Sequence, residues 1–273
     1  MTDADAYDPK YYEYLQFDLA RYLDRHPDKK KLWEVMNDPK NLQTRDDLNK
    51  LLAPESGDES HSILPWLVMI EQKGFHEFLN EEYLNALADY MISRLSELQD
   101  GDTPVVVLEL GAGNGRLSYF LQDKLEERKP GAFVVVATDS QKSGIKQVFP
   151  VEQLDFKDAL QKFKPEVVVV SWMPDDFSSA IRNTASVKEY ILIGETESCG
   201  DPWQTWGQLS EYDEEYERRK DLPKPYETDG FERKQLTELS KLQIARGDSR
   251  VSIGKETNSE TNSFRRRPTN DMA

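Results

Sequence analysis

Cysteine occurs once in these 273 residues, at Cys199, so no disulfide can form within the chain. That usage suits a reducing compartment. Long apolar runs are also missing, and no stretch approaches the ~18 residues that a membrane span requires. Hydrophobic residues make up only 37% of the sequence while 32% are charged, respectively below and above the usual globular shares. Basic residues are the scarcer sign. Lysine and arginine number 35 against 51 acids, a net charge of −16. Such a field repels phosphate backbones at long range and disfavours extended nucleic-acid binding. The opening residues Met1-Thr2-Asp3-Ala4-Asp5 lack the basic-then-apolar pattern of a secretion signal. The chain therefore reads as cytoplasmic or nuclear, with no membrane partner.

What hydrophobicity there is comes in blocks. Residues 1–98 carry helical periodicity. Asp8 before Pro9 fits the start of a helix through Tyr11, Leu15, Leu19 and Leu23, and Thr44 with Asp47 makes a capping box before Leu48, Leu51 and Leu52. After Asn80, Leu84, Leu87, Ala88, Met91, Ile92 and Leu95 fall on one apolar face. From residue 104 the texture changes to four short blocks: Val105-Val106-Val107-Leu108, Phe133-Val134-Val135-Val136, Val167-Val168-Val169-Val170 and Tyr190-Ile191-Leu192-Ile193. Each is continuous and not alternating, as expected of parallel strands buried on both faces. Helical stripes separate them, so the fold class is α/β, a doubly wound, mainly parallel sheet with an N-terminal helical region. Three regions are expected: a helical cap over 1–98, the sheet domain over 99–253, and a polar tail over 254–273. Late strands are expected near Phe231 to Leu236 and Leu242 to Arg246. The tail is polar enough for disorder, with Phe264 hinting that part of it docks.

The informative stretch is Glu109-Leu110-Gly111-Ala112-Gly113-Asn114-Gly115-Arg116, a strand running into a glycine-rich turn and then a helix. Glycines allow a tight turn and close approach of a ligand to backbone, and the helix start offers N–H groups to an anion. Dinucleotide sites space their glycines G-x-G-x-x-G. Here the spacing is G-x-G-x-G, and Arg116 occupies the third dinucleotide position. Glu109, two residues before the first glycine, suits a ligand bearing an ammonium group and no pyrophosphate.

On these residues the sequence resembles the class I, Rossmann-like S-adenosylmethionine-dependent methyltransferases, whose first motif is an acid followed by G-x-G-x-G. Glu109, Gly111, Gly113 and Gly115 match it position by position, and the resemblance covers residues 104–197. It implies S-adenosylmethionine as cofactor and no metal. It also implies ribose contact by Asp139 at the end of the second block and adenine contact by Asp155. Ser171 and Trp172, at the end of the fourth strand, would lie beside the transferable methyl.

The reaction implied is an in-line displacement in which the protein aligns the acceptor and excludes water. Asp175, Asp176, Glu195 and Glu197, in the loops after strands four and five, are candidates for a general base. Trp203 and Trp206, unusual in so polar a segment, are candidates for an acceptor pocket. Ser171-Trp172-Met173-Pro174 departs from the Asn/Asp-Pro-Pro-aromatic motif of nucleic-acid-amino methyltransferases. With the acidic charge, this points to a protein or small-molecule acceptor. The competing readings are a methyltransferase-like module kept as a binding scaffold and, against the glycine spacing, an NAD(P)-dependent oxidoreductase.

Overall fold

The computed structural model describes residues 21–52, 76–173, 177–209, 212, 214–244 and 259–268, apart from 22, 26, 39, 143, 197 and 213. A seven-stranded sheet is its centre. β1 (Val105–Leu110), β2 (Phe133–Asp139), β3 (Glu152–Gln153), β4 (Val167–Ser171), β5 (Glu189–Gly194), β6 (Phe231–Gln235) and β7 (Glu260–Arg266) lie in the order β3-β2-β1-β4-β5-β7-β6. The first five are parallel, while β7 runs antiparallel to both β5 and β6. The dinucleotide fold orders its strands 3-2-1-4-5-6; the reversed strand between the fifth and sixth positions departs from that plan.

The continuous apolar blocks are explained by two cores, one on each face. Val105, Val107, Val167, Val169, Ile191 and Ile193 point to one side, and Leu108, Leu110, Val168, Val170, Tyr190 and Leu192 to the other. Successive side chains of a strand alternate faces, so a strand covered on both sides must be apolar throughout. The first face is covered by α3 (Glu81–Leu98) and α4 (Arg116–Arg128), through Leu84, Leu87 and Met91 of one and Leu117, Leu121 and Leu125 of the other. The second is covered by α5 (Phe156–Phe163) and α6 (Ser178–Arg182). Each fully buried leucine contributes roughly 1.5–3 kcal/mol. α3 starts where the sequence places it, with Asn80 Oδ1 accepting the Tyr83 N–H at 2.9 Å.

Before α3, α1 (Pro27–Asn37) and α2 (Arg45–Leu52) form a smaller cluster with Leu23, Leu32, Leu48, Leu51, Phe78 and Ile244. Of the expected Thr44 capping box one half is seen: the Thr44 hydroxyl accepts the Asp47 N–H at 3.2 Å, while the Asp47 carboxylate accepts from that hydroxyl at 2.9 Å. The helix expected from Asp8 to Leu23 lies outside the described residues except at its end. The amphipathic face of α3 did not reveal its partner in the sequence: it packs on the sheet, whereas α1 and α2 form a separate cluster.

Two expectations need correction. The polar tail contains β7, which is inserted into the sheet. Its polar side chains are paired: Ser263 donates to Glu189 at 2.6 Å, Thr261 to Gln243 at 2.7 Å, and Asn262 Oδ1 accepts from Arg233 at 2.9 Å. Phe264 is fully buried and stacks on Tyr190 at 4.5 Å. Low hydrophobicity predicts disorder only where polar groups lack such partners. Leu242 to Ile244 are turn and coil, and not a strand; the Ile244 carbonyl accepts the Phe78 N–H at 2.8 Å and ties this segment to the one before α3. Arg246 lies outside the described residues. Among the described residues no helix is long and apolar enough to cross a membrane.

Candidate functional site

A cavity of about 430 Å³ opens at the carboxyl ends of β1, β2 and β4, the position at which open α/β sheets hold ligands. Its floor is the glycine turn. Gly111, Gly113 and Gly115 all have positive φ, at 68°, 54° and 81°, a region costly for side-chain-bearing residues. Gly115 has a packing reason as well, because a Cβ there would meet Val151 at 2.6 Å. Gly111 and Gly113 line the cavity directly, whereas Gly115 supports it from behind.

Glu109 is 3% exposed, and its Oε2 accepts both the Ser118 N–H at 3.0 Å and the Ser118 hydroxyl. The carboxylate thus caps the first turn of α4, where a negative charge is favoured. Burial nevertheless raises its pKa to about 7; the Ser118 bonds oppose the rise and Asp139 adds to it. Asp139, at the end of β2, accepts the Gly113 N–H at 2.9 Å and the Gln141 N–H at 2.5 Å, one on each oxygen. Each oxygen keeps a second lone pair for a ligand hydroxyl. Asp155 lines the cavity and caps α5 through the Lys157 N–H at 3.2 Å. Phe156 and Phe177 stack on each other at 4.5 Å on the same wall.

At the end of β4, Ser171 and Trp172 line the cavity as the sequence suggests. Trp172 has φ 53°, which is strained for a side-chain-bearing residue. It is over-determined by its surroundings: its backbone N–H donates to Ile193 O at 2.8 Å and its indole Nε1 to Glu77 Oε2 at 2.8 Å, and His76 stacks on it at 5.6 Å. Glu77 also accepts from Ser259 at 3.0 Å and from Gln243 at 3.2 Å. One buried carboxylate therefore joins the segment before α3, the end of β4 and the start of β7.

The remaining sequence candidates fall elsewhere. Trp203 and Trp206 belong to a π-helical turn, Pro202–Trp206, and do not line the cavity. Trp203 lies under Lys224 at 4.6 Å, and the Trp206 indole donates to Cys199 O at 2.7 Å. Both are buried and anchor the turn, which is why a polar segment contains two of them. Glu195 accepts from the Ser198 hydroxyl at 2.9 Å in the loop after β5, away from the cavity lining. Asp175, Asp176 and Glu197 lie outside the described residues. No group of three or more His, Cys, Asp or Glu side chains among the described residues is arranged to hold a metal.

His76, Glu77, Asn114, Arg116 and Phe177 also line the cavity and were not found as site residues from sequence. Glu77 meets Trp172 across 95 positions of chain, a separation with no local signature. Arg116 carried a signal in occupying a dinucleotide glycine position.

No protein-family model and no curated protein matches this sequence. Among solved structures it is similar to the CurJ carbon methyltransferase, at 14% identity over 93% of this chain and 71% of that one, with a TM-score of 0.45. It is also similar to the citrinin polyketide synthase CMeT domain, at 13% identity over 92% and 69% of the respective chains, TM-score 0.42. A third is magnesium protoporphyrin IX methyltransferase from Synechocystis PCC 6803 with bound SAM, at 13% identity over 88% and 97%, TM-score 0.35.

Proposed function

We propose that this chain is an S-adenosylmethionine-dependent methyltransferase acting on a protein or small-molecule acceptor. The observation that carries the reading is the convergence of Glu109, the Gly111–Gly113 turn, Asp139 and Ser171-Trp172 on one cavity. The residues fit the cofactor. Positive-φ glycines leave the floor free of side chains, and Asp139 retains acceptor capacity for ribose hydroxyls. The Phe156–Phe177 wall beside Asp155 suits an adenine ring. A dinucleotide is disfavoured because Arg116 stands where the dinucleotide fingerprint has its third glycine, which allows close helix–strand packing.

The cofactor, when bound, supplies an electrophilic methyl on a sulfonium. The chain's part is to position and to exclude water. Trp172, held in its strained conformation by Glu77, walls the end of β4 where the acceptor must approach. An acceptor N–H or O–H must lose a proton, and His76, stacked on Trp172 at the cavity lining, is the side chain we assign to take it.

Calorimetric titration with S-adenosylmethionine and with NADH, on wild-type protein and Asp139→Ala, tests the cofactor. Saturable binding of S-adenosylmethionine alone is expected, weakened roughly 10-fold or more in the variant, which loses hydrogen bonds to a charged group. Preferential NADH binding would overturn the reading. Binding without S-adenosylhomocysteine production on any fraction of a cell extract would reduce the enzyme to a cofactor-binding scaffold.

A further inference from the structure

Behind the cavity wall runs a chain of polar side chains that ends on Trp172. Gln243, in the segment between β6 and β7, donates through Nε2 to Glu77 Oε1 at 3.2 Å and to Ser259 Oγ at 2.7 Å. Ser259 donates in turn to Glu77 Oε2 at 3.0 Å. Thr261 donates to Gln243 Oε1 at 2.7 Å, and its hydroxyl meets that of Tyr83, on α3, at 2.8 Å. Tyr83, Gln243, Ser259 and Thr261 are buried, and none of them lines the cavity. The carboxylate fixes every direction in the chain. It only accepts, so Ser259 and the Gln243 amide nitrogen must donate to it; the amide oxygen then takes the Thr261 proton, and Tyr83 is left to donate to Thr261. Buried polar groups are costly unless satisfied, so a set satisfied in this one way holds one arrangement. Glu77 Oε2 passes that arrangement to the cavity by accepting the Trp172 indole N–H at 2.8 Å.

Trp172 is a residue whose place depends on such a restraint. Its φ of 53° is strained, and it lies one residue beyond the end of β4. Its backbone sits over Gly194, where a Cβ would stand 3.6 Å from both its N and its Cα. The bond to Ile193 O fixes that backbone, and the bond to Glu77 aims the indole. We infer that Gln243 and Ser259 are positioning residues: without touching the cavity, they orient Glu77 and through it the Trp172 face that the acceptor meets. The inference rests on the proposed methyl transfer and extends it to two residues outside the cavity. The glycine turn and Asp139, at the ends of β1 and β2, are held by hydrogen bonds of their own. Mutation of the buried chain therefore separates the acceptor side of the cavity from the cofactor side.

The test uses Ser259→Ala, Gln243→Met and the conservative Ser259→Thr in the full chain. Calorimetry should give an affinity for S-adenosylhomocysteine within about 2-fold of wild type in each, as expected of sites that share no partner; this also shows that the variants are folded. Trp172 emission is isolated by subtracting the signal of the same protein carrying Trp172→Phe. It should shift to the red and be quenched more readily by acrylamide in Ser259→Ala and Gln243→Met, and return to the wild-type position in Ser259→Thr. Transfer of labelled methyl from S-adenosylmethionine to acceptors in a cell extract should fall roughly 10-fold or more in the first two variants, which lose hydrogen bonds to a charged group, and recover in the third. Should Gln243→Met fail to fold, the smaller change Ser259→Ala decides. Unchanged Trp172 emission, or weakened binding of S-adenosylhomocysteine in step with the loss of transfer, would overturn the inference and leave the cofactor site standing. Absence of transfer by the wild type would overturn the methyltransferase reading, and the emission of Trp172 would still decide whether Gln243 and Ser259 position it.

Discussion

A carboxylate at position 109 is subject to two opposed forces, and their balance can be measured. Its hydrogen bonds to Ser118 favour the ionised form, but burial outweighs them and sets the pKa near 7 against an ordinary 4.5. Between those values the folded protein holds the proton more tightly than the unfolded chain does. This contribution to stability is therefore complete below pH 4.5 and is lost as the pH rises through about 7, a change on the order of 3 kcal/mol. Glu109→Gln keeps an acceptor for Ser118 and removes the titration. Urea midpoints measured between about pH 5 and pH 8 should fall with pH in the wild type and much less in the variant; equal slopes would assign the titration to another group. A cationic ligand in the cavity favours the ionised carboxylate, so binding near pH 6.5 should release a proton. The calorimetric enthalpy should then depend on the buffer's heat of ionisation, and this dependence should vanish in Glu109→Gln.

β7 is the element on which the sheet's second half depends. It pairs with β5 from Glu189↔Arg265 to Gly194↔Glu260 and with β6 from Phe231↔Arg266 to Gln235↔Asn262. Without it those two strands have no partner between them. Phe264 is its anchor, fully buried, stacked on Tyr190 and edge-on to Tyr226 at 5.2 Å. Phe264→Ala should cost about 3–5 kcal/mol, read as a lowered urea midpoint with unchanged slope; a shift under about 1 kcal/mol would mean that the strand docks through its backbone alone. This strand also marks the limit of legibility in the sequence. β1, β2, β4 and β5 announce themselves because burial on both faces demands apolar blocks, and the glycine turn because three positive-φ positions at alternate residues admit little else. β7 does not. Of its four fully buried side chains three are polar, Thr261, Asn262 and Ser263, satisfied by Gln243, Tyr83, Arg233 and Glu189 from distant segments, so its polarity reads locally as a tail. The same reason hid Glu77 and His76, whose roles come from Trp172 just beyond β4, and made Trp203 and Trp206 look like pocket walls when they are anchors of a turn.

The whole molecule adds a field that no single contact describes. Its net charge of −16 surrounds a cavity lined by Glu77, Glu109, Asp139 and Asp155 against Arg116 and Lys142. Fields of one sign focused in a cleft speed the arrival of opposite charge, and salt screens them over about 10 Å at 0.1 M. S-adenosylmethionine carries one net positive charge, from its sulfonium, and S-adenosylhomocysteine carries none. The two ligands share every other group, so they separate the molecular field from the local contacts. Stopped-flow tryptophan fluorescence, with Trp172 at the cavity wall as reporter, should give an association rate for S-adenosylmethionine that falls several-fold between about 0.05 and 0.5 M salt. The rate for S-adenosylhomocysteine should change little. On the proposed function, a difference of this sign would favour exchange, the field drawing in the charged cofactor and leaving the neutral product unaffected. If both rates fell alike, the attraction would be acting on the shared amino-acid zwitterion through Arg116 and Glu109; if neither fell, the surface acids would serve solubility and have no part in binding.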